Sequence, residues 1–329
     1  MATYLVTGGA GFIGSHLCTA LVERGDRVHV LDNLSSGKRE NLAHLEVGAP
    51  GSGSPVELFV GDLVDPEVCA AATRGIQGVL HEAAQVSVPQ SLIDPMRSVE
   101  VNVSGTTQLL EAARNAGAER FLMAASSAAY GESPELPKHE GMPVAPLSPY
   151  AVGKVAGENL LAAWAHCHGM KTVALRYFNV FGPRQADDSP YTGVIAIFAR
   201  ALLDGRCPTI FGDGDQTRDF TYVDNVVAAN LAALDADVPA GAVVNVGAGE
   251  RISLNQLFGE MASYLGVDLE PSYAPARDGD VRHSLASLER AKDLLGYEPG
   301  VDWRVGLGRT LEWYKAQMTA SSGRVSTEE

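Results

Sequence analysis

The chain has 329 residues, 46% of them hydrophobic, enough to bury a large core in one domain or in two that share it. A formal net charge of −15 argues against a nucleic acid or an anionic membrane surface as partner, so a negatively charged ligand must be gripped by a few local arginines. No apolar run is long enough to cross a bilayer and no charged-then-apolar leader precedes the first apolar stretch, so a cytosolic setting is expected. Cys18, Cys69, Cys167 and Cys207 show neither metal-type spacing nor a close couple, so reduced thiols and no metal are expected.

Residues 4–7 are a short β-rich run. They enter Gly8-x-x-Gly11-x-x-Gly14, and a helical pattern follows over 15–24. Strand, glycine turn and helix in succession make a dinucleotide site: the glycines let backbone approach a pyrophosphate, and the helix N-terminus supplies N–H groups and a positive dipole end. Residues 27–31 form the second strand, ending in Asp32, where an acid bonds ribose hydroxyls and repels a 2′-phosphate. NAD is therefore favoured over NADP, with Lys38 and Arg39 pulling the other way.

Residues 46–55 are a loop by composition, expected as a mobile surface excursion. A third strand over 56–60 leads to Asp62 and Leu63, where Asp62 either faces an adenine amino group or closes a turn. A fourth strand, 78–81, runs into Glu82-Ala83-Ala84-Gln85, whose small residues let backbone lie against a cofactor. Residues 95–116 read as one long helix containing Asn102, either a satisfied core group or a brace for the site. The fifth strand, 120–125, ends in Ser126-Ser127, where parallel strands bind ligands. A helix over 149–168 and a sixth strand over 172–176 complete a doubly wound parallel α/β sheet.

Within that helix, Tyr150 and Lys154 are one turn apart and share a face. A phenol with an ordinary pKa of about 10 is a poor base at neutral pH. A nearby cation favours the phenolate, as does the positive ring of an oxidised nicotinamide.

After Pro183 the rhythm breaks. Helices are expected over 191–203, 224–234, 253–265, 287–295 and 303–318. Strands are expected over 209–211 and 218–223, and residues 243–246 return to the main sheet. Ser253 is a good N-cap. The expected division is a nucleotide-binding domain over 1–178 that also receives 219–250, a smaller interleaved lobe over 179–218 and 251–315, and a flexible tail over 316–329. Arg184, Arg218, Arg277 and Arg282 are available for a diphosphate, which suits bidentate contacts.

The glycine turn, Asp32, Ser126, Tyr150-x-x-x-Lys154 and Arg176-Tyr177-Phe178-Asn179-Val180-Phe181-Gly182-Pro183-Arg184 together resemble the extended short-chain dehydrogenase/reductases, and within them the UDP-hexose 4-epimerases, from about residue 3 to about residue 315. The resemblance implies an isomerase with Tyr150 as acid/base, Lys154 on the nicotinamide ribose and Ser126 on the oxygen being oxidised. It implies that NAD is held by Gly8, Gly11, Phe12, Ile13, Gly14, Asp32, Asn33, Asp62, Leu63, Ala83, Ala84, Gln85, Asn102, Tyr150, Lys154 and Tyr177. The UDP-sugar falls to Ser87, Ser126, Ser127, Asn179, Val194, Arg218, Arg277, Asp280 and Ser284. A homodimer is implied through a four-helix interface from residues 95–116 and 149–168.

Sister chemistries are weighed on the same residues. Dehydratases of this type carry an Asp-Glu pair after the active-site hydroxyl, where Ser127-Ala128 stand here. Uronate-specific relatives tend to have threonine at Asn179 and a basic residue at Ala186, and neither is present. Ser127, and the small Ser284 where plain glucose/galactose members have tyrosine, resemble the branch that takes N-acetylated sugars, whereas Ala128-Ala129 depart from it. Two alternatives stay open: another UDP-sugar enzyme, such as a uronate epimerase or decarboxylase, and a non-catalytic NAD-sensing protein.

Overall fold

The computed structural model describes residues 1–186, 193–276 and 281–325, with side chains to 319. Arg277 and Asp280 lie outside the described residues.

Strand β1 (Thr3–Thr7) leads through the glycine turn into α1 (Phe12–Glu23), followed by β2 (Arg27–Asp32), β3 (Val47–Gly48) and β4 (Val56–Val60). Next come α2 (Pro66–Ala72), β5 (Gly78–His81), α3 (Val88–Ile93), α4 (Pro95–Val99) and α5 (Thr106–Asn115). Then follow β6 (Arg120–Ser126), α6 (Pro149–His168) and β7 (Lys171–Tyr177). The remaining elements are β8 (Val180–Phe181), α7 (Val194–Leu203), β9 (Thr209–Phe211), β10 (Thr217–Arg218), β11 (Thr221–Tyr222), α8 (Val223–Asp235), β12 (Ala242–Val246), β13 (Ile252–Ser253), α9 (Leu254–Leu265), β14 (Ser272–Ala274), α10 (Glu289–Leu295) and α11 (Trp303–Val325).

Eight parallel strands form one sheet in the order β12-β7-β6-β5-β1-β2-β4-β3. The chain winds outward one way from β1 and the other way from β5. A crevice opens between their carboxyl ends, where doubly wound sheets bind ligands. Both sheet faces are covered, as parallel strands require. Leu17, Val30, Leu122, Val226 and Val244 pack on one side, and Val79, Leu110, Phe121 and Leu161 on the other. Each such side chain stabilises the fold by about 1.5–3 kcal/mol. A separate core of Phe181, Phe198, Ile210, Leu257 and Trp303 holds the second lobe.

Four expectations need correction. Residues 46–55 are not a loose excursion: Val47–Gly48 pair with β4, and the Glu57 carboxylate accepts from the N–H groups of Gly51 and Gly53 at 2.7 and 2.9 Å. The long helix over 95–116 is interrupted by a π-turn at Glu100–Gly105 that contains Asn102. The strand over 218–223 is two strands, parted because the buried Asp219 side chain turns inward to accept from Ala248, Gly249 and Ala286 N–H at 2.7, 3.1 and 3.0 Å. Helix α11 runs to Val325, past the expected helix end at 318. Among the described residues no helix is long and apolar enough to cross a membrane.

Candidate active site

A cavity of about 1250 Å³ runs along the carboxyl ends of the sheet. Its floor is the glycine turn. Gly8 has a φ of +66°, and a Cβ there would fall 2.9 Å from the Ala83 nitrogen, while one on Gly14 would fall 2.2 Å from the Gly8 oxygen. Only glycine fits these positions. Gly11, the N-cap of α1, offers no capping side chain, and the first turn carries no acid, so the helix's dipole end is open to an anion. These features fit a dinucleotide.

At one end of the cavity, Asp32 is buried and accepts from Ala10 N–H at 3.0 Å and Leu34 N–H at 2.8 Å, and burial pushes its carboxyl up. Asp62 accepts from Asn33 at 2.9 Å and is clamped by Arg97 at 2.5 Å. These bonds and the Val64 N–H hold its carboxyl below the usual range against the cost of burial.

At the other end, β6 delivers Ser126 and α6 delivers Tyr150 and Lys154. Ser148 caps α6 through Ala151 N–H, and Pro149 sets the first helical turn. The helix lies close to its neighbours because two positions carry no side chain: a Cβ on Gly153 would fall 2.9 Å from that of Asn102, and one on Gly157 2.7 Å from the Met123 sulfur. Lys154 is buried, donates to the Ala124 carbonyl at 2.6 Å and lies 5.9 Å from the Tyr150 ring centre. Burial pushes the Tyr150 phenol up, a hydrogen bond with Ser126 pulls it down, and the charge of Glu82 raises it again. Burial also brings Lys154 down to about 8, opposed by Glu82 and Glu158.

The cavity wall gathers Gly8, Gly11, Phe12, Ile13, Gly14, Asp32, Asn33, Asp62, Leu63, Ala83, Ala84, Gln85, Ser87, Ser126, Tyr150, Lys154, Tyr177 and Asn179. Asn102 stands behind it: its amide accepts from Gln85 N–H at 2.8 Å and donates to Gln85 O at 3.1 Å, which fixes that stretch of backbone. Asn179 adopts a φ of +22°, which asparagine tolerates better than most residues. Ser87 caps α3. Ser127, Val194, Arg218 and Ser284 are not part of this wall. Ser127 opens the short 3₁₀ turn after β6, and Ser284 is 9% exposed with its N–H donating to the Thr217 carbonyl.

Sequence reasoning passed over Glu82, Arg97 and Glu158. Glu82 accepts from the Tyr177 hydroxyl at 2.8 Å, and Glu158 meets Arg176 in a buried two-bond pair, both at 2.7 Å. The available signals were an acid directly after an apolar strand end and an arginine inside an apolar strand.

The fold and this wall define a dinucleotide-dependent enzyme with a serine–tyrosine–lysine site. The chain belongs to the NAD dependent epimerase/dehydratase family, which matches it over residues 4–247. It is 41% identical over 313 residues to a UDP-glucose 4-epimerase of Mycolicibacterium smegmatis, covering 94% of this chain and 98% of that one. A solved UDP-N-acetylglucosamine 4-epimerase from Methanobrevibacter ruminantium, in complex with UDP-N-acetylmuramic acid, superposes with a TM-score of 0.90 at 38% identity, covering 96% and 99% of the two chains. A Thermus thermophilus UDP-glucose 4-epimerase in complex with NAD gives 0.84 at 39% identity, covering 95% and 99%. The cofactor is NAD.

Proposed function

We propose that this chain is an NAD-dependent UDP-sugar 4-epimerase that interconverts UDP-glucose with UDP-galactose and takes the N-acetylated pair as well. The observation that carries the reading is the convergence of Ser126, Tyr150 and Lys154 on the cavity that holds the glycine turn. NAD, when bound, supplies the acceptor for the C4 hydride and the donor that returns it. Tyr150 accepts the C4 hydroxyl proton, and Ser126 shares a hydrogen bond with the same oxygen. Burial holds the Tyr150 phenol up, and a cationic Lys154 together with the oxidised ring would favour the phenolate against it. The 4-keto sugar turns over while UDP stays anchored, and Tyr150 gives the proton back.

Asp32 takes the adenosine ribose and Lys154 the nicotinamide ribose. Asn179 and Arg218, with Arg277 and Asp280, hold UDP. Residues 1–178 with 219–250 serve the cofactor, and 179–218 with 251–315 serve the sugar nucleotide. The N-acetylated pair rests on the resemblance of Ser127 and the small Ser284 to the branch that takes N-acetylated sugars, although neither lines the cavity wall. A homodimer fits the apolar side chains exposed beside α6: Leu92 at 64%, Ile93 at 69% and Met96 at 76%. Four free cysteines suit a reducing cytosol.

Proton NMR with UDP-N-acetylglucosamine and UDP-glucose, with no cofactor added, tests the reading. Both C4 epimers are expected to form, and Ser284→Tyr is expected to lose the N-acetyl reaction only. Silence with both sugars after NAD is supplied, together with turnover of UDP-glucuronate, would transfer the assignment to a uronate enzyme.

A further inference from the structure

Glu82 has no task in the chemistry described so far, and its placement is unusual. It follows the last residue of β5 and sits on the cavity wall beside Ala83 and Ala84. The Tyr177 hydroxyl at the end of β7 donates to it at 2.8 Å, and Asn230 on α8 donates to that hydroxyl at 2.7 Å. Because the Asn230 amide nitrogen donates to the Tyr177 oxygen, the Tyr177 proton points at the carboxylate, and one Glu82 oxygen is held by that bond, which Asn230 in turn orients. The charged and titratable groups facing it are Lys154 and Tyr150 on α6 and Tyr177 on β7, with His81 next to it on β5. Glu158, one turn along from Lys154, is already matched by Arg176. The Lys154 ammonium donates to the Ala124 carbonyl and to neither acid.

We propose that Glu82 is a positioning residue for the base: held by Tyr177 and Asn230, its carboxylate is the counter-charge to Lys154 and sets the pH at which Tyr150 gives up its proton. The inference rests on the epimerase reading for its use, although the titration needs no substrate. Its direction follows from charge. A negative carboxylate near the phenol opposes phenolate, as Lys154 favours it. Burial pushes the Glu82 carboxyl up to about 7, opposed by Tyr177 and Lys154, so its charge changes near neutral pH. Once ionised, Glu82 holds the Tyr150 phenol higher, so phenolate forms at a higher pH than it would beside a neutral side chain.

Glu82→Gln keeps an acceptor for Tyr177 and removes the charge. The tyrosinate absorbance of the protein as purified is titrated with pH, and the same titration of Tyr150→Phe is subtracted. The Tyr150 midpoint is expected to fall by about one pH unit in Glu82→Gln, about tenfold more phenolate at any pH below it, and Glu82→Leu is expected to follow. The acid limb of kcat/KM on UDP-glucose shifts by the same amount. A midpoint unchanged in Glu82→Gln but moved in Glu82→Leu would show that Glu82 only packs, and would overturn the proposal. Infrared difference spectra across pH 7, with the same spectra of Glu82→Gln subtracted, give a second check that sets aside the other buried carboxyl, Asp219. A protonated carboxyl band that disappears there supports the proposal, and a carboxylate already ionised well below that pH overturns it. Loss of turnover in the parent would refute the epimerase reading and leave the titration readable.

Discussion

The parallel sheet and the second lobe are held together by different kinds of contact. The sheet is a register of eight strands with apolar layers on both faces, and its polar site residues sit where strands end: Asp32 at the end of β2, Glu82 just after β5, Ser126 on β6 and Tyr177 on β7. In the lobe the strands run only two or three residues and pair in twos. It is tied to the sheet half by single side chains of the 219–250 stretch that bond distant backbone, such as Asp219 on residues 248, 249 and 286, and Asn225 on Val301. A sheet tolerates the loss of one backbone bond or apolar contact because its neighbours share the load, whereas a buried charge that loses its partner is costly in either region.

The largest expected effect lies in the sheet half and concerns chemistry alone. Tyr150→Phe removes the proton acceptor and should lower turnover by about 10²–10⁴-fold, with the melting temperature nearly unchanged. Undiminished turnover would remove Tyr150 from the role of base. Next in size is Arg176→Ala, which leaves the Glu158 carboxylate buried and unpaired. The expected cost is about 3–5 kcal/mol in a denaturant titration, because both partners are nearly inaccessible at 4% and 6%. A loss under about 1 kcal/mol would show that the sheet absorbs even this defect.

Asp219→Ala tests the tie between the two regions in the same way. Three N–H groups lose their acceptor, and about 2–4 kcal/mol of stability should go with them. The pH dependence carries its own sign. Burial raises the Asp219 carboxyl from 3.8 to about 6 in the folded chain, so the folded state binds the proton more tightly than the unfolded one. That contribution is present below 3.8 and is lost as pH rises through about 6. Melts of the parent and of Asp219→Asn should therefore differ in slope across that window, and parallel slopes would contradict it. The smallest effect belongs to Arg97→Ala. Its pair with Asp62 is part-exposed at 37% and 27%, so stability should change by less than about 1 kcal/mol. The cofactor dissociation rate should rise if Asp62 must be held still to meet the adenosine.

This difference also governs what the amino-acid sequence reveals. Alternating apolar strands and helical patterns announce the doubly wound sheet, and the glycine spacing places the turn at β1, because these features repeat and are local. Ser126, Tyr150 and Lys154 are legible for the same reason: each sits at a strand end or on a helix face that periodicity locates. Glu82 was hidden because its meaning depends on Tyr177 and Asn230, 95 and 148 positions away, which only the fold brings to it. The break at Asp219 was hidden likewise, since residues 218–223 read as one β-rich run until the side chain is seen to turn inward. The π-turn at Glu100–Gly105 has no mark in composition. It follows from Asn102 reaching Gln85 and Gly153 packing against Asn102.

The central claim is that one hydride leaves C4 and returns to the same carbon without meeting solvent. UDP-glucose deuterated at C4, incubated with the purified protein in ordinary water, tests it directly by NMR. UDP-galactose that retains the deuterium at C4 is the expected product. Galactose bearing a solvent proton at C4, or deuterium released to water, would contradict internal return and with it the assignment of this site.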